Sequence, residues 1–353
     1  MIKYMYSINI FLSAILSSPL IIFFYLIKFI IPKELWFRII KYIIRTWYNM
    51  VIFYMIYILK IKVIINSDDI KIEPKDKKIL FFSNHPSFAD WLYFWIIAYK
   101  YNRVKDVIIA MKDPIRRVPG IGWAVELLEY AFISRNNKLM DINELKNTVK
   151  QDNIFFLIFP EGTNFGVEKL KTQLLQYNLN DDLKLICNEY TDVLIPKTSG
   201  LRTCIKNGNF DKIYTLTICY SKLPSIQTPT LWSAWMGIYP KEILFNIENF
   251  KYEKNDIDDE KKFKKLIYEN YKSKNQYLKN NNNYINVNQD KIIKGNIEIC
   301  LSMIIWIIMT IIILRYMYIN KYVLIIEIIS WITLYFNSKS LFLQETLKFK
   351  NKS

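Results

Sequence analysis

The chain contains one histidine, His85, in the stretch Asn84-His85-Pro86-Ser87-Phe88-Ala89-Asp90, directly after the apolar run Ile79-Leu80-Phe81-Phe82. An imidazole is the one side chain whose unperturbed titration falls near neutral pH, at about 6.5. Placed beside a hydroxyl it can remove a proton, and a carboxylate on its other ring nitrogen fixes the tautomer and stabilises the imidazolium. Asp90, five residues on, is the carboxylate in reach. Two plainer readings compete. A lone histidine is often an ordinary packed or surface residue. Ser87-Phe88-Ala89-Asp90 also reads as a helix start, with Ser87 as N-cap and Asp90 near the positive end of the dipole.

Three further stretches carry chemistry-bearing residues. Arg135 closes Phe132-Ile133-Ser134-Arg135, and its planar fork suits a phosphate. The alternative is a surface arginine beside Asn136 and Lys138. In Phe159-Pro160-Glu161-Gly162-Thr163-Asn164, Gly162 permits a tight turn and Thr163 offers a hydroxyl to a phosphate or an alcohol. Glu161 would repel a phosphate, so a substrate hydroxyl or Arg135 is its better partner; a plain loop is the alternative. In Leu194-Ile195-Pro196-Lys197-Thr198-Ser199-Gly200, Lys197 supplies a point charge, and Pro196 either shapes a loop or simply ends a strand.

The elements that must position these residues follow from apolar patterning. Short runs rich in Ile, Val, Phe and Tyr predict strands over 78–83, 106–111, 131–134, 153–159, 193–197, 213–220 and 242–247. Helices are predicted between several of them, over 90–99, 122–130, 141–150 and 165–179. The alternation implies an α/β domain with its active residues on loops leaving the strands.

The flanks differ in texture. Residues 8–31 are almost wholly apolar and long enough to cross a bilayer, which takes roughly 20 residues. A cleaved signal peptide is the alternative, but the run extends past Ser17-Ser18 and a second, 39–59, follows with Lys41 and Arg45 placed to snorkel or to mark an interfacial helix. A third run, 297–314, and a fourth, 316–336 with Lys321 and Glu327, predict a C-terminal hairpin. The expected organisation is N-terminal anchoring helices over 1–61, a catalytic domain over 62–253, a polar basic linker over 254–296, a transmembrane hairpin over 297–337 and a basic tail over 338–353. Within the linker, 258–278 reads as an exposed basic helix and Asn280-Asn281-Asn282-Asn283 as a flexible joint, so the hairpin is expected to act as a tether.

The formal charge is +16, from 48 basic and 32 acidic residues. Such an excess fits nucleic acid, anionic lipid or an anionic soluble substrate. No nucleic-acid module is present and the apolar runs already place the chain at lipid, so membrane lipids are the expected partners and nucleic acid is not. Cys187, Cys204, Cys219 and Cys300 show neither zinc-site nor disulfide spacing, and reduced thiols are expected. No metal is expected, and no feature specifies a protein partner.

Taken in order, the four stretches resemble the glycerolipid acyltransferase family that includes 1-acylglycerol-3-phosphate acyltransferases. Pro119-Gly120-Ile121-Gly122-Trp123, the Phe-Ile-Ser-Arg ending, Tyr214-Thr215-Leu216-Thr217-Ile218 and Tyr239-Pro240-Lys241-Glu242-Ile243-Leu244-Phe245 look most like its lysocardiolipin acyltransferase branch. The resemblance implies a mixed α/β sheet flanked by helices, with hydrophobic membrane helices at both ends. It implies transfer of an acyl group from acyl-CoA, a co-substrate and not a resident cofactor, to a lysophospholipid. His85 is then the general base, Asp90 its partner, and Arg135, Glu161, Gly162, Thr163, Pro196 and Lys197 the substrate-binding residues. The first acceptor is 1-acyl-sn-glycerol-3-phosphate, with lysocardiolipin or lysophosphatidylinositol as alternatives. The branch often carries arginine where Lys197 stands and a basic or aromatic group where Ile195 stands, which puts the headgroup, not the reaction, in question. The implied location is the endoplasmic reticulum membrane with a cytosolic catalytic domain. A non-catalytic membrane protein that binds anionic lipid is the reading from a different class.

Overall fold

The computed structural model describes residues 2–67, 70–177, 181–221, 239–281 and 293–350. Most of the joint that follows Asn281 and the last three residues of the basic tail lie outside them. Among the described residues there are eight strands, β1 (Lys62–Asn66), β2 (Lys78–Ser83), β3 (Val107–Ile109), β4 (Met111–Lys112), β5 (Phe132–Ile133), β6 (Ile154–Ile158), β7 (Lys212–Ser221) and β8 (Glu242–Asn249). The chain divides into two compact units. One comprises 59–110 and 137–294, the other 1–58, 111–136 and 295–353.

The first unit is built on a six-stranded mixed sheet of order β1-β8-β7-β2-β6-β3. β7, β2, β6 and β3 run parallel, and β8 turns antiparallel to β7 with β1 parallel to it. Ile79, Leu80, Phe81 and Phe82 in β2 are fully buried, as are Ile154 to Leu157 in β6. Strands buried on both faces read as continuous apolar runs, because alternate side chains point to opposite faces and both faces are covered. Phe81 points to one face, where its ring meets Phe94 of the helix Asp90–Lys100 at 5.4 Å. Phe82 points to the other, under Lys274 of the helix Glu260–Asn281. Each such buried aromatic or aliphatic side chain contributes about 1.5–3 kcal/mol relative to exposure.

Four sequence expectations change here. The run 193–197 forms no strand, although Val193, Leu194 and Ile195 are buried. Its donors go elsewhere: the Ile195 amide to Gln173 Oε1 at 2.9 Å and the Lys197 amide to the Pro160 carbonyl at 2.8 Å. β1 is an additional edge strand, whose short apolar run Val63-Ile64-Ile65 follows closely on the apolar run 39–59. The helix Thr198–Gly208 is also additional. Finally, the expected linker is largely part of the sheet unit. Phe263, Ile267, Tyr271, Lys274 and Leu278 recur at helical spacing and are buried, so this helix is a docked layer with one wet face.

The second unit contains the terminal helices. Among the described residues, two stretches are long and apolar enough to cross a membrane, Ile8–Ile27 and Ile297–Ile319. The helix Ile297–Ile319 packs along Lys33–Phe53 and is joined to it by polar contacts: Arg45 meets Glu298 at 2.8 Å, and Asn49 donates to the same carboxylate at 3.0 Å. Trp306 donates to Thr46 at 3.0 Å. The C-terminal helix is therefore an integral part of this unit and not a loose tether. Residues 111–136 fold here too, with the two-stranded β4-β5 sheet and the short helix Ile121–Leu127.

Docking of the helix Glu260–Asn281 makes a direct test. Ile267→Ala, at a fully buried position, should cost about 2–5 kcal/mol. Lys265→Ala on the exposed face should change stability by no more than about 0.5 kcal/mol. Thermal melts of both variants in detergent measure the difference, and equal midpoints would mean that the helix is not docked.

Candidate active site

β2 and β6 are parallel neighbours, so the loops leaving their carboxyl ends emerge side by side. The first loop carries His85 and the second Glu161. Asn84 fixes the first loop. Its side-chain amide donates to the Ile218 carbonyl at 3.0 Å and accepts from the Ile218 amide at 2.8 Å. A side chain thereby extends the β2–β7 ladder beyond the pair Ser83–Leu216. The two loops are tied together where the Phe165 amide donates to the His85 carbonyl at 2.7 Å.

His85 Nδ1 lies 2.8 Å from Asp90 Oδ2, and the imidazole stacks on Phe159 with centroids 4.2 Å apart. Asp90 is the first residue of its helix and is fully buried. The same oxygen accepts from the Ser87 amide at 2.9 Å, while Oδ1 accepts from the Tyr220 hydroxyl. Burial raises the Asp90 pKa above the usual carboxylate range, and the contacts to His85, Tyr220 and Ser87 pull it back. Burial and the Asp90 charge both push the Tyr220 phenol well up, so the shared proton stays on the phenol. Ser87 does not cap the helix as its position suggested. Its hydroxyl accepts from the Ala89 amide at 3.1 Å, and Ala89 is the N-cap.

Glu161 is buried, and neither of its carboxylate oxygens has a well-formed hydrogen bond among the described residues. Burial raises its pKa well above the usual range. The main-chain amides of His85 and Leu194, facing it without well-aligned hydrogen bonds, lower it, as does the charge of Lys274; the Asp90 charge adds to the rise. Gly162 has φ +71°, the left-handed conformation that a side chain resists, and its amide closes the turn onto the Phe159 carbonyl at 2.9 Å. Thr163 is partly exposed beside Lys169 and Asn164. The amide bond of Lys197 to Pro160 brings the fourth stretch against the third, with Pro196 buried and Lys197 exposed.

His85, Asp90, Glu161, Gly162, Thr163, Pro196 and Lys197 thus all belong to the sheet unit. Arg135 does not. It follows β5 in the other unit, is exposed, and has φ +66°. Three residues of the site went unnoticed in the sequence. Asn84 was legible as the residue before His85. Tyr220 and Lys274 are distant in sequence and become visible only through strand order and helix docking.

Residues 64–199 match the Acyltransferase family model. The likeness to the acyltransferase family lies in this segment. The chain is 24% identical over 218 residues to lysocardiolipin acyltransferase 1 of Danio rerio, covering 59% of this chain and 53% of the relative. It is 31% identical over 161 residues to 1-acyl-sn-glycerol-3-phosphate acyltransferase 2 of Brassica oleracea, covering 44% and 39%. The crystal structure of PlsC, the 1-acyl-sn-glycerophosphate acyltransferase of Thermotoga maritima, superposes with a TM-score of 0.45 at 17% identity, covering 79% of this chain and 98% of that one. The chain spans a little over half the length of the first curated relatives it matches, 54% and 53%. Tyr220 and Lys274 both lie beyond the acyltransferase-family segment.

The pairing of His85 with Asp90 has a spectroscopic consequence. A carboxylate on Nδ1 should hold neutral imidazole as the Nδ1–H tautomer, against the usual preference for Nε2–H. Because the chain has a single histidine, nitrogen-15 spectra of its imidazole in mildly alkaline solution are unambiguous. Asp90→Asn should shift the population toward Nε2–H. A wild-type spectrum already dominated by Nε2–H would contradict the geometry.

Proposed function

We propose that the chain is a membrane-bound, acyl-CoA-dependent lysophospholipid O-acyltransferase with 1-acyl-sn-glycerol-3-phosphate as its first acceptor and phosphatidic acid as its product. The observation that carries this reading is the hydrogen bond from His85 to the buried Asp90, in a loop tied to the one bearing Glu161-Gly162-Thr163. With Nδ1–H donated to Asp90, Nε2 is left with its lone pair. It takes the proton of the acceptor hydroxyl as that oxygen attacks the thioester carbonyl. The carbon–oxygen bond forms and the carbon–sulfur bond breaks. The imidazolium then returns the proton to the departing coenzyme A thiolate. The enzyme contributes no nucleophile of its own, because the acceptor supplies it.

Asp90 serves this cycle by remaining an anion. Its desolvated carboxylate stabilises the imidazolium more strongly than an exposed one would, since the field between them is little screened. Glu161 and Thr163 are the groups suited to the glycerol hydroxyl, Arg135 and Lys197 those suited to the phosphate. A bilayer supplies both substrates, and we read Ile8–Ile27 and Ile297–Ile319 as the segments that hold the enzyme there. The endoplasmic reticulum and a cytosolic catalytic unit complete the proposal. Lysocardiolipin is the second acceptor to consider, because relatives carry that name and Lys197 stands where bidentate arginine geometry would favour a lone phosphate monoester.

Coenzyme A release measured with lysophosphatidate, lysocardiolipin and lysophosphatidylinositol separates these acceptors. No release with any of them would leave a lipid-binding protein without this activity. His85→Ala should lower kcat by about 10²-fold or more, the usual contribution of a general base, with acyl-CoA binding little changed. No second histidine exists to substitute for it, so near-normal turnover would remove His85 from the mechanism. Arg135→Ala should raise the KM for lysophosphatidate far more than that for acyl-CoA. An unchanged acceptor KM in folded protein would end its assignment to the phosphate.

A further inference from the structure

The ladder between β2 and β6 stops one donor short, just where the His85 loop begins. Its first bond runs from the Ile154 amide to the Lys77 carbonyl at 3.0 Å, and its register ends on Phe82 and Ile158. Bonds of a parallel ladder recur at every second residue, so the carbonyls of Lys77, Ile79, Phe81 and Ser83 all face β6. The donor in line for the Ser83 carbonyl is the amide of residue 160. That residue is Pro160, which carries no N–H. Ser83 is fully buried, and a buried carbonyl must find a partner within the protein.

The partner comes from the helix Glu260–Asn281. The Tyr271 hydroxyl, itself fully buried, donates to the Ser83 carbonyl at 2.9 Å. One turn further on, Lys274 Nζ donates at 2.6 Å to the carbonyl of Leu216, the residue paired with Ser83 on β7. The helix thus serves both strands at the point where the ladders end. Asn84 holds the root of the loop toward β7 through Ile218, and Tyr271 holds it toward β6. Two residues separate Ser83 from His85, whose Nδ1 lies 2.8 Å from Asp90 Oδ2. Asp90 has an anchor of its own in Tyr220. A swing of the Ser83–Asn84 peptide would therefore carry the imidazole away from a carboxylate that β7 holds in place.

We propose that Tyr271 is a positioning residue for His85, its hydroxyl standing in for the ladder donor that Pro160 lacks and so fixing the Ser83–Asn84 peptide that carries the imidazole. The proposal rests on the reading of His85 as the general base. Pro160 frees the chain after β6 from the ladder, and the carbonyl left behind is served by a helix beyond residues 64–199. That helix is then part of the machinery and not merely a cover for the sheet.

Tyr271→Phe in the full chain tests this, because it removes the hydroxyl and keeps the ring. Tyr190→Phe is the control: that hydroxyl is also buried and donates at 2.7 Å to the Tyr268 carbonyl, on the same helix and not on the His85 loop. Each variant loses one buried hydrogen bond, so both should melt below the wild type by comparable amounts. Only Tyr271→Phe should disturb the single histidine. Nitrogen-15 spectra in mildly alkaline solution should show a smaller Nδ1–H share of its neutral imidazole. Its kcat should fall about tenfold, as a sub-ångström displacement of a reacting group allows, with the KM for acyl-CoA within about twofold. A wild-type histidine spectrum in folded Tyr271→Phe would overturn the role. So would an equal spectral change in Tyr190→Phe, which would mark a general response to loosening the helix. The spectra need no substrate, so they decide the placing of His85 by themselves. Absence of turnover in the wild-type chain with every lysolipid would instead overturn the acyltransferase reading.

Discussion

Asp90 is a carboxylate removed entirely from water, and the arrangement around it follows from that one constraint. A lone buried carboxylate would take up a proton and cease to be useful to an imidazole. Three donors oppose this: His85 and the Ser87 amide from the loop after β2, and Tyr220 from β7. The Asn84 clamp on Ile218 sets the register between the His85 loop and β7, and thus places the Tyr220 hydroxyl. A slip of one residue in β7 would turn Tyr220 to the other face of the sheet. The surroundings of the His85–Asp90 pair and the strand register are therefore one requirement.

The same logic applies to Glu161 with less local support. Asp90 is satisfied by strong donors on both oxygens, whereas Glu161 has only poorly aligned amides and the field of Lys274. Such half-satisfied polar groups are expensive, and they persist where the remaining valence is kept for something else. The lowered Lys274 pKa and the raised Glu161 pKa have a common origin in burial. Only Asp90 of these three charged groups could be recognised from a local motif with its partner five residues away.

How much the sequence disclosed depended on the range of the interaction. The His85–Asp90 pairing was legible because both residues sit in one short loop with a chemically narrow purpose. β2, β6 and β7 were legible because strands covered on both faces are continuous apolar runs. The helix Glu260–Asn281 was visible as a helix but not as a docked one. Its surface is dominated by lysines, and its buried face includes Lys274 and Asn275, which composition counts as polar. Asn275 spends its side chain on the amides of Thr191 and Asp192 and the Glu189 carbonyl, a use that no periodicity reports. The run 193–197 failed in the opposite direction, since apolar burial there is real but the ladder is replaced by a glutamine side chain and a loop carbonyl.

The stretch Pro119-Gly120-Ile121-Gly122-Trp123 shows what a motif can mean once its surroundings are known. Gly120 has φ +74°, and a Cβ there would lie 2.0 Å from the Ala14 carbonyl oxygen. A Cβ on Gly122 would lie 2.1 Å from the Ile115 carbonyl oxygen. Both approaches are to backbone, which cannot rotate away as a flexible side chain can. These glycines therefore let the chain pass directly against the first apolar helix and against the turn Asp113–Arg117, within the unit that holds the terminal helices. Trp123, also buried, packs in the same segment. In this chain the two glycines serve packing, seating part of 111–136 against its neighbours. Arg135 and Lys197, by contrast, are exposed, whereas Gly120, Gly122 and Trp123 are buried.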